Sequence, residues 1–452
     1  LAPVPVTRAR TLAGIGRFGP GTAALLAWSL IGLGNAVRYG VYTPLAITLV
    51  GAGMLALTVA VLGLRRRSAP RVGRFGLLAA GLVALCSTVL SPAERYARGS
   101  AETWSHGLLI AAAVGLLVLA ASPVSGRRLH PVVLGLVGLA GVAGIRATPR
   151  PTIDDWHILQ GSAKALLHGH NIYGQAWPGS GGHLLPYLPG SAVLLTPFYL
   201  VLSDVRYGLL AAMLVAALLI GRLDAHAGHR SLLVLSGLVV LQPWVLYLIE
   251  QSWPEPLLLA LVAGMVWAGL RNRPVLAVLC FAAALATKQH VLIMAPLAAL
   301  WPAFGLRRTV YSVLAAGAFI AGWLLVEPHQ FVQGAISYNL KLPPRHDSLS
   351  LFTTAIRAGH TPSFAVVPLL LLVFLLLALW LLPRTATGFL LGSAWLLGGF
   401  NLLNKQSFFN EWSFVLGLIV LGLACMAVEQ RPLTQPALVT RLADRIVQRP
   451  AA

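Results

Sequence analysis

Runs of apolar residues recur along the chain from residue 20 to residue 428. Each is about 17 to 25 residues long, the length an α-helix needs to cross the hydrocarbon core of a bilayer. The pattern predicts spanning helices over 20–37, 43–64, 75–92, 104–122, 130–147, 206–221, 231–249, 254–270, 274–287, 289–304, 309–326, 364–382, 387–403 and 412–428, fourteen in all. Two stretches break the series. Residues 188–203 (LPGSAVLLTPFYLVLS) are apolar but short for a span, and they hold Pro197. They are read as a short helix at the outer interface or dipping into it. From Asp155 to Leu167, Ile158, Leu159, Ala163, Leu166 and Leu167 recur at i, i+3, i+4 spacing, which predicts an amphipathic helix on the membrane surface, closed by Gly169.

Composition agrees with this pattern. Of 452 residues, 57% are hydrophobic and 10% charged, and the mean hydropathy is +0.79. Soluble domains carry about 25% charged residues, so a soluble protein is excluded and a multi-pass protein of the plasma membrane is expected. Cys86, Cys280 and Cys425 all fall inside apolar runs, so neither a disulfide nor thiol chemistry is expected.

The net charge of +20 raises the question of nucleic acid, and its distribution answers it. With fourteen spans, RRRSAPRVGR (65–74), GRR (126–128), GRLDAHAGHR (221–230), RNR (271–273), LRR (306–308) and PR (383–384) fall on one side with both termini. By the positive-inside rule that side is the cytoplasm. It holds 21 of the 33 Lys and Arg, but only Asp224, Glu429 and Asp444 of the 13 acids. The basic bias is thus an orientation signal, and no nucleic-acid partner is expected. The N-terminus LAPVPVTRARTLAGIGR and residues 429–452 read as cytoplasmic tails. Counting 188–203 as a span would put GRLDAHAGHR outside and upset this pattern.

On the outer side the unusual chemistry collects. Asp154 and Asp155 stand together where the fifth helix ends, after a long stretch whose only acids are Glu94 and Glu102. The same side carries Tyr187 and Pro189, SDVR (203–206), IEQSWPEP (249–256), TKQH (287–290), KLPPRHDSLS (341–350) and NKQSFFNEW (404–412). Charged groups at membrane depth are costly and are usually paired or functional. Singly, each also reads as a solvated loop cap; the convergence of the set on one face points to a site.

In DWHILQGSAKALLHGHNIY, Asp155 precedes Gly169 and Tyr173 at a spacing that resembles the GT-C superfamily of membrane glycosyltransferases. The chain is most similar to actinobacterial mannosyltransferases that use polyprenol-phosphate-mannose. YLPGSAVLLTPFYLVLSDVR resembles that family's Tyr-Pro-Pro helix, and ALATKQHVLIMAPL (285–297) its Lys-containing turn. The sequence departs from the pattern in its five leading helices, in YLPG, which lacks the second Pro, and in HDSLS. The resemblance implies an all-α fold with a GT-C-like catalytic membrane domain over 148–428, and residues 1–147 as an added module.

It also implies the chemistry: an inverting transfer of mannose, or of arabinose, from a polyprenyl-phosphate donor to a glycolipid or glycan acceptor in the cell envelope, on the extracytoplasmic side. Such a transfer needs a general base at the acceptor hydroxyl and a cationic cradle for the departing phosphate. Asp155 is favoured as base by its spacing to Gly169 and Tyr173, with Asp154 as helix N-cap or acceptor-orienting group; both acids capping the helix is the competing reading. Lys288, with Gln289 and His290, leads the phosphate candidates, followed by Arg206, Arg345 and Lys405, each of which also reads as a snorkelling cation. Tyr173, Tyr187, Glu250, Gln251, His346, Asp347 and Asn404 are assigned to substrate, and Trp156, Trp177 and Trp253 are candidates for stacking on sugar. No cofactor and no metal is implied, membrane lipids are expected partners, and a monomer is expected. A lipid or sugar transporter is the alternative.

Overall fold

A computed structural model describes residues 19–65, 72–92, 94–122, 126–224, 230–360 and 362–429. The predicted cytoplasmic tails and parts of the 65–74 and 221–230 clusters lie outside these residues. Among the described residues every regular element is helical.

The first half runs α1 (Pro20–Ala36), α2 (Pro44–Gly63), α3 (Arg74–Leu90), α4 (Ser100–Ala121), α5 (Gly126–Ala147), α6 (Asp154–Leu167), α7 (Gly190–Leu202), α8 (Arg206–Gly221), α9 (Arg230–Val240) and α10 (Val245–Glu250). The second half runs α11 (Glu255–Leu270), α12 (Pro274–Leu285), α13 (Ala295–Leu300), α14 (Gly305–Val326), α15 (Pro328–Phe331), α16 (Asn339–Lys341), α17 (Leu351–Arg357), α18 (Val366–Leu381), α19 (Ala386–Leu403) and α20 (Phe409–Glu429). A 3-10 helix, Gln289–Met294, leads into α13, and a π-helix, Val332–Tyr338, joins α15 to α16.

Seven of these helices are long and apolar enough to cross a membrane: those covering Pro20–Gly40, Pro44–Gly63, Ser100–Ala121, Arg128–Ala147, Gly305–Val326, Ala386–Leu403 and Phe409–Glu429. This is the character of a multi-pass membrane protein. The other predicted spans are shorter, and proline accounts for two of them. Pro243 follows α9, Trp244 takes a left-handed φ of 61°, and the expected span 231–249 splits into α9 and α10. Pro296 stands at the start of α13, so the expected span 289–304 is a 3-10 turn followed by six residues of α-helix. α7 is a separate helix of 13 residues, bent by 113° from α8 at Ser203, whose φ is 60°.

The buried apolar residues form one continuous core that runs from α1 to α20. α20 packs on α1, α9, α11 and α19, and α9 in turn packs on α3, α4, α5 and α8, so the leading five helices share their core with the rest. α14 and α18 stand apart: they leave Leu306, Leu314, Leu325, Leu369, Leu372, Leu376 and Trp380 exposed. Apolar faces of this extent on α14 and α18 mark surfaces that meet lipid rather than water.

Candidate active site

α6 starts at Asp154 with Ile153 as its N-cap, so Asp154 is the first helical residue and not the expected cap. Both acids lie in the first turn, where the positive end of the helix dipole favours negative charge. They turn different ways. Asp154 faces outward, with Oδ2 4.0 Å from Nε2 of His183. Asp155 faces the body of the protein and accepts two hydrogen bonds, from the Tyr187 hydroxyl to Oδ1 at 2.6 Å and from the Trp253 indole to Oδ2 at 2.7 Å.

The loop before α7 positions Tyr187. Leu188 N donates to Thr287 O and Gly190 N to Ala286 O, which docks this loop on the 286–288 turn. Gly190 ends the YLPG motif for a steric reason: a Cβ there would lie 2.6 Å from Ala286 O. Tyr173 is a buttress and not a substrate contact. Its buried hydroxyl donates to Tyr187 O at 2.9 Å, and its ring packs edge-on against Phe331 with centroids 4.9 Å apart. Trp253 is held from the other side by Tyr247 and Phe409.

Beneath this carboxylate lies an ion cluster that the sequence did not disclose. Lys288 Nζ is 2.5 Å from Oε1 of Glu255 and 3.8 Å from Oε1 of Glu411, and 5.4 Å from the centre of the Tyr187 ring. Asn410 donates to the same Glu255 oxygen at 2.9 Å, and Glu411 Oε2 accepts from Phe408 N at 2.8 Å. Three turns, distant in sequence, thus meet at one lysine. Glu255 and Glu411 stood in the motifs WPEP and NEW, but nothing in either marks a partner more than thirty residues away.

The electrostatics follow from this geometry. Burial raises the Asp155 carboxyl to about 7; the neighbouring Asp154 charge adds to the rise, while the bonds from Tyr187 and Trp253 and the charge of Lys288 oppose it. The Tyr187 phenol is pushed well up, first by burial and then by Asp155, so it stays a donor. Lys288 loses solvation through burial, but Glu255 and Glu411 outweigh that and hold its ammonium above the usual lysine range.

Several expected site residues are otherwise engaged. Lys288 was expected to be free for a phosphate, but its ammonium already has carboxylate partners. Arg206 is fully buried and forks onto Asp204 at 2.6 Å, while its Nη2 also donates to Thr148 O at 2.7 Å, tying the end of α5 to the start of α8. It is a structural residue and not a phosphate ligand. Glu250 accepts from Arg95 N and Tyr96 N at 2.7 and 2.8 Å, and so closes the loop before α4. Gln289 donates to Pro186 O at 2.9 Å and to Ala335 O at 2.5 Å, and Lys405 to Leu340 O at 2.6 Å. Asn404 closes its own turn onto Gln406 O; Gln251, by contrast, is fully buried with neither amide atom hydrogen-bonded. His290 packs beside Phe414 with ring centroids 5.8 Å apart.

Arg345 and Asp347 pair with each other at 2.6 Å at an exposed rim, and the His346 carbonyl accepts from Arg357. Arg345 lies close enough to Asp154 to feel its charge. On the same rim, His183 hydrogen-bonds the Tyr338 hydroxyl. Among the described residues, no group of three His, Cys, Asp or Glu is placed to hold a metal ion.

No family model matches the chain, and neither the curated proteins nor the solved structures include a match.

Proposed function

We propose that the protein is a membrane glycosyltransferase that moves a sugar from a polyprenyl-phosphate donor to an acceptor hydroxyl, with Asp155 as general base. One observation carries this reading: a carboxylate at a helix N-terminus, raised to about 7 and aimed by two neutral donors, Tyr187 and Trp253. A base raised to near neutral pH takes a proton from an alcohol more effectively than an ordinary aspartate, and still ionises. Inversion needs only that one carboxylate.

Tyr187 and Trp253 hold the carboxylate plane, and Lys288 supplies a nearby positive charge that keeps Asp155 ionisable. The departing phosphate would meet the open side of the site, where His183, Tyr338 and Arg345 stand near Asp154. Mannose is the proposed sugar, with arabinose second, and the site is proposed to face the extracytoplasmic side between fourteen membrane-associated helices.

The broken helices α7–α8 and α9–α10 favour one other reading, a lipid or sugar transporter, because such breaks commonly surround transported substrates. A single pair of assays separates the two. Purified protein in lipid bilayers is given polyprenyl-phosphate-mannose or polyprenyl-phosphate-arabinose, and products are read by mass spectrometry; movement of labelled lipid across the bilayer is followed in parallel. Sugar transfer from one donor supports the enzyme, and movement without transfer supports the transporter.

A further inference from the structure

A spacious cleft stands away from Asp155. It lies on the neighbouring face of α6, between that helix, the turn that follows it and the end of α7, and encloses about 470 Å³. That volume falls in the range of about 300 to 1,000 Å³ usual for small-molecule sites. Gly161 shapes it: the Trp177 ring lies so close that a Cβ at 161 would be 2.5 Å from it.

The lining has a definite chemistry. Trp156, Trp177 and Tyr199 supply aromatic walls, and Lys164, His168 and His170 stand at the edge, the two imidazoles stacked with centroids 6.2 Å apart. No Asp or Glu lines it. Directly after Tyr199, Leu200, Val201 and Leu202 are 65%, 76% and 49% exposed, an apolar end of α7 beside the cleft.

A cationic mouth, aromatic walls and an apolar flank together fit a molecule with an anionic head and a hydrocarbon tail. We propose that this cleft binds the phosphate-bearing headgroup of an anionic membrane lipid, with its acyl chains along Leu200–Leu202. The assignment does not rest on the transfer reaction at Asp155. Lys164 and the imidazoles meet the phosphate, and the aromatic rings cover the glycerol or polyol.

The test uses the full chain, purified in neutral detergent and depleted of lipid, titrated with short-chain phosphatidylglycerol, short-chain phosphatidylcholine and inorganic phosphate. Binding is read by native mass spectrometry. Phosphatidylglycerol should bind at least tenfold tighter than phosphatidylcholine. Lys164→Gln combined with His168→Gln should weaken phosphatidylglycerol about tenfold and leave phosphatidylcholine unchanged. Both side chains are exposed, so the variant should keep its melting temperature. Lys164→Glu, a charge reversal, should weaken the anionic lipid further. Equal binding of the two lipids, or no loss in either variant, overturns the proposal. Inorganic phosphate binding as tightly as phosphatidylglycerol would make the cleft an anion site and overturn the lipid assignment.

Discussion

Tyr187 donates its phenolic hydrogen to Oδ1 of Asp155 over 2.6 Å, and burial keeps the phenol from ionising itself. The bond therefore acts in one direction only: it stabilises the carboxylate against the burial that raises it to about 7. A base must be ionised to work, so activity should rise with pH through about 7. Tyr187→Phe removes a stabiliser of the charged form, so the limb should move up by about one unit. In a pH–rate profile the variant should lose most at pH 6 and recover towards pH 9; an unmoved limb would detach Tyr187 from the base.

Lys288 connects the base to the ion cluster below, and the two roles proposed for it make different predictions. Its ammonium is held by Glu255 and Glu411, so Lys288→Met leaves buried carboxylates without a counter-ion, at a cost of about 3 to 5 kcal/mol. Adding Glu255→Gln should recover much of that in a thermal-unfolding assay. Donor affinity should change less than tenfold in the double variant. A larger loss there, with stability restored, would return Lys288 to phosphate binding.

Arg206 should behave as a structural residue. It joins Asp204 to the end of α5 in a fully buried setting, so Arg206→Ala should lower stability by about 3 to 5 kcal/mol and reduce the yield of folded protein. Where some folded variant is recovered, donor affinity should be unchanged. Weakened donor binding by well-folded variant would contradict this assignment.

The proposed orientation is open to chemical labelling. In a cysteine-free background, Ala176→Cys lies in the exposed loop beside the site, and Leu306→Cys lies at the 67%-exposed start of α14. An impermeant thiol reagent applied to intact cells should modify the first and spare the second. The opposite pattern would invert the topology.

How much of this was legible in the sequence depends on the kind of residue. The apolar runs showed a helical membrane protein, because period and length are local properties, but among the described residues only seven of the fourteen expected spans are long and apolar enough to cross. α6 was legible from its helical spacing, and the separate α7 from Pro197 and its short length. The splitting of 231–249 was within reach, since Pro243 sits in its middle, but apolar content outweighed it. Asp155 and Tyr187, which the structure brings together, each stand out from apolar surroundings in the sequence. The lysine cluster was not: Glu255, Lys288 and Glu411 are brought together only by the packing of α11, α20 and the 286–288 turn. The setting of Arg206 was hidden for the same reason, since its partner Asp204 was visible but the carbonyls of Ile145 and Thr148 were not.

The central claim is that Asp155 is the base for sugar transfer, and Asp155→Asn tests it most directly. The change deletes the base while keeping the shape of the side chain. Turnover of labelled polyprenyl-phosphate-mannose, or of the arabinose donor, by purified wild type, Asp155→Asn and Asp154→Asn is the measurement, with donor binding followed on the same samples. The account predicts transfer by the wild type, a loss of about a hundredfold or more in Asp155→Asn with donor binding retained, and a smaller loss in Asp154→Asn. Full turnover by Asp155→Asn, or no transfer from either donor by the wild type, would contradict it.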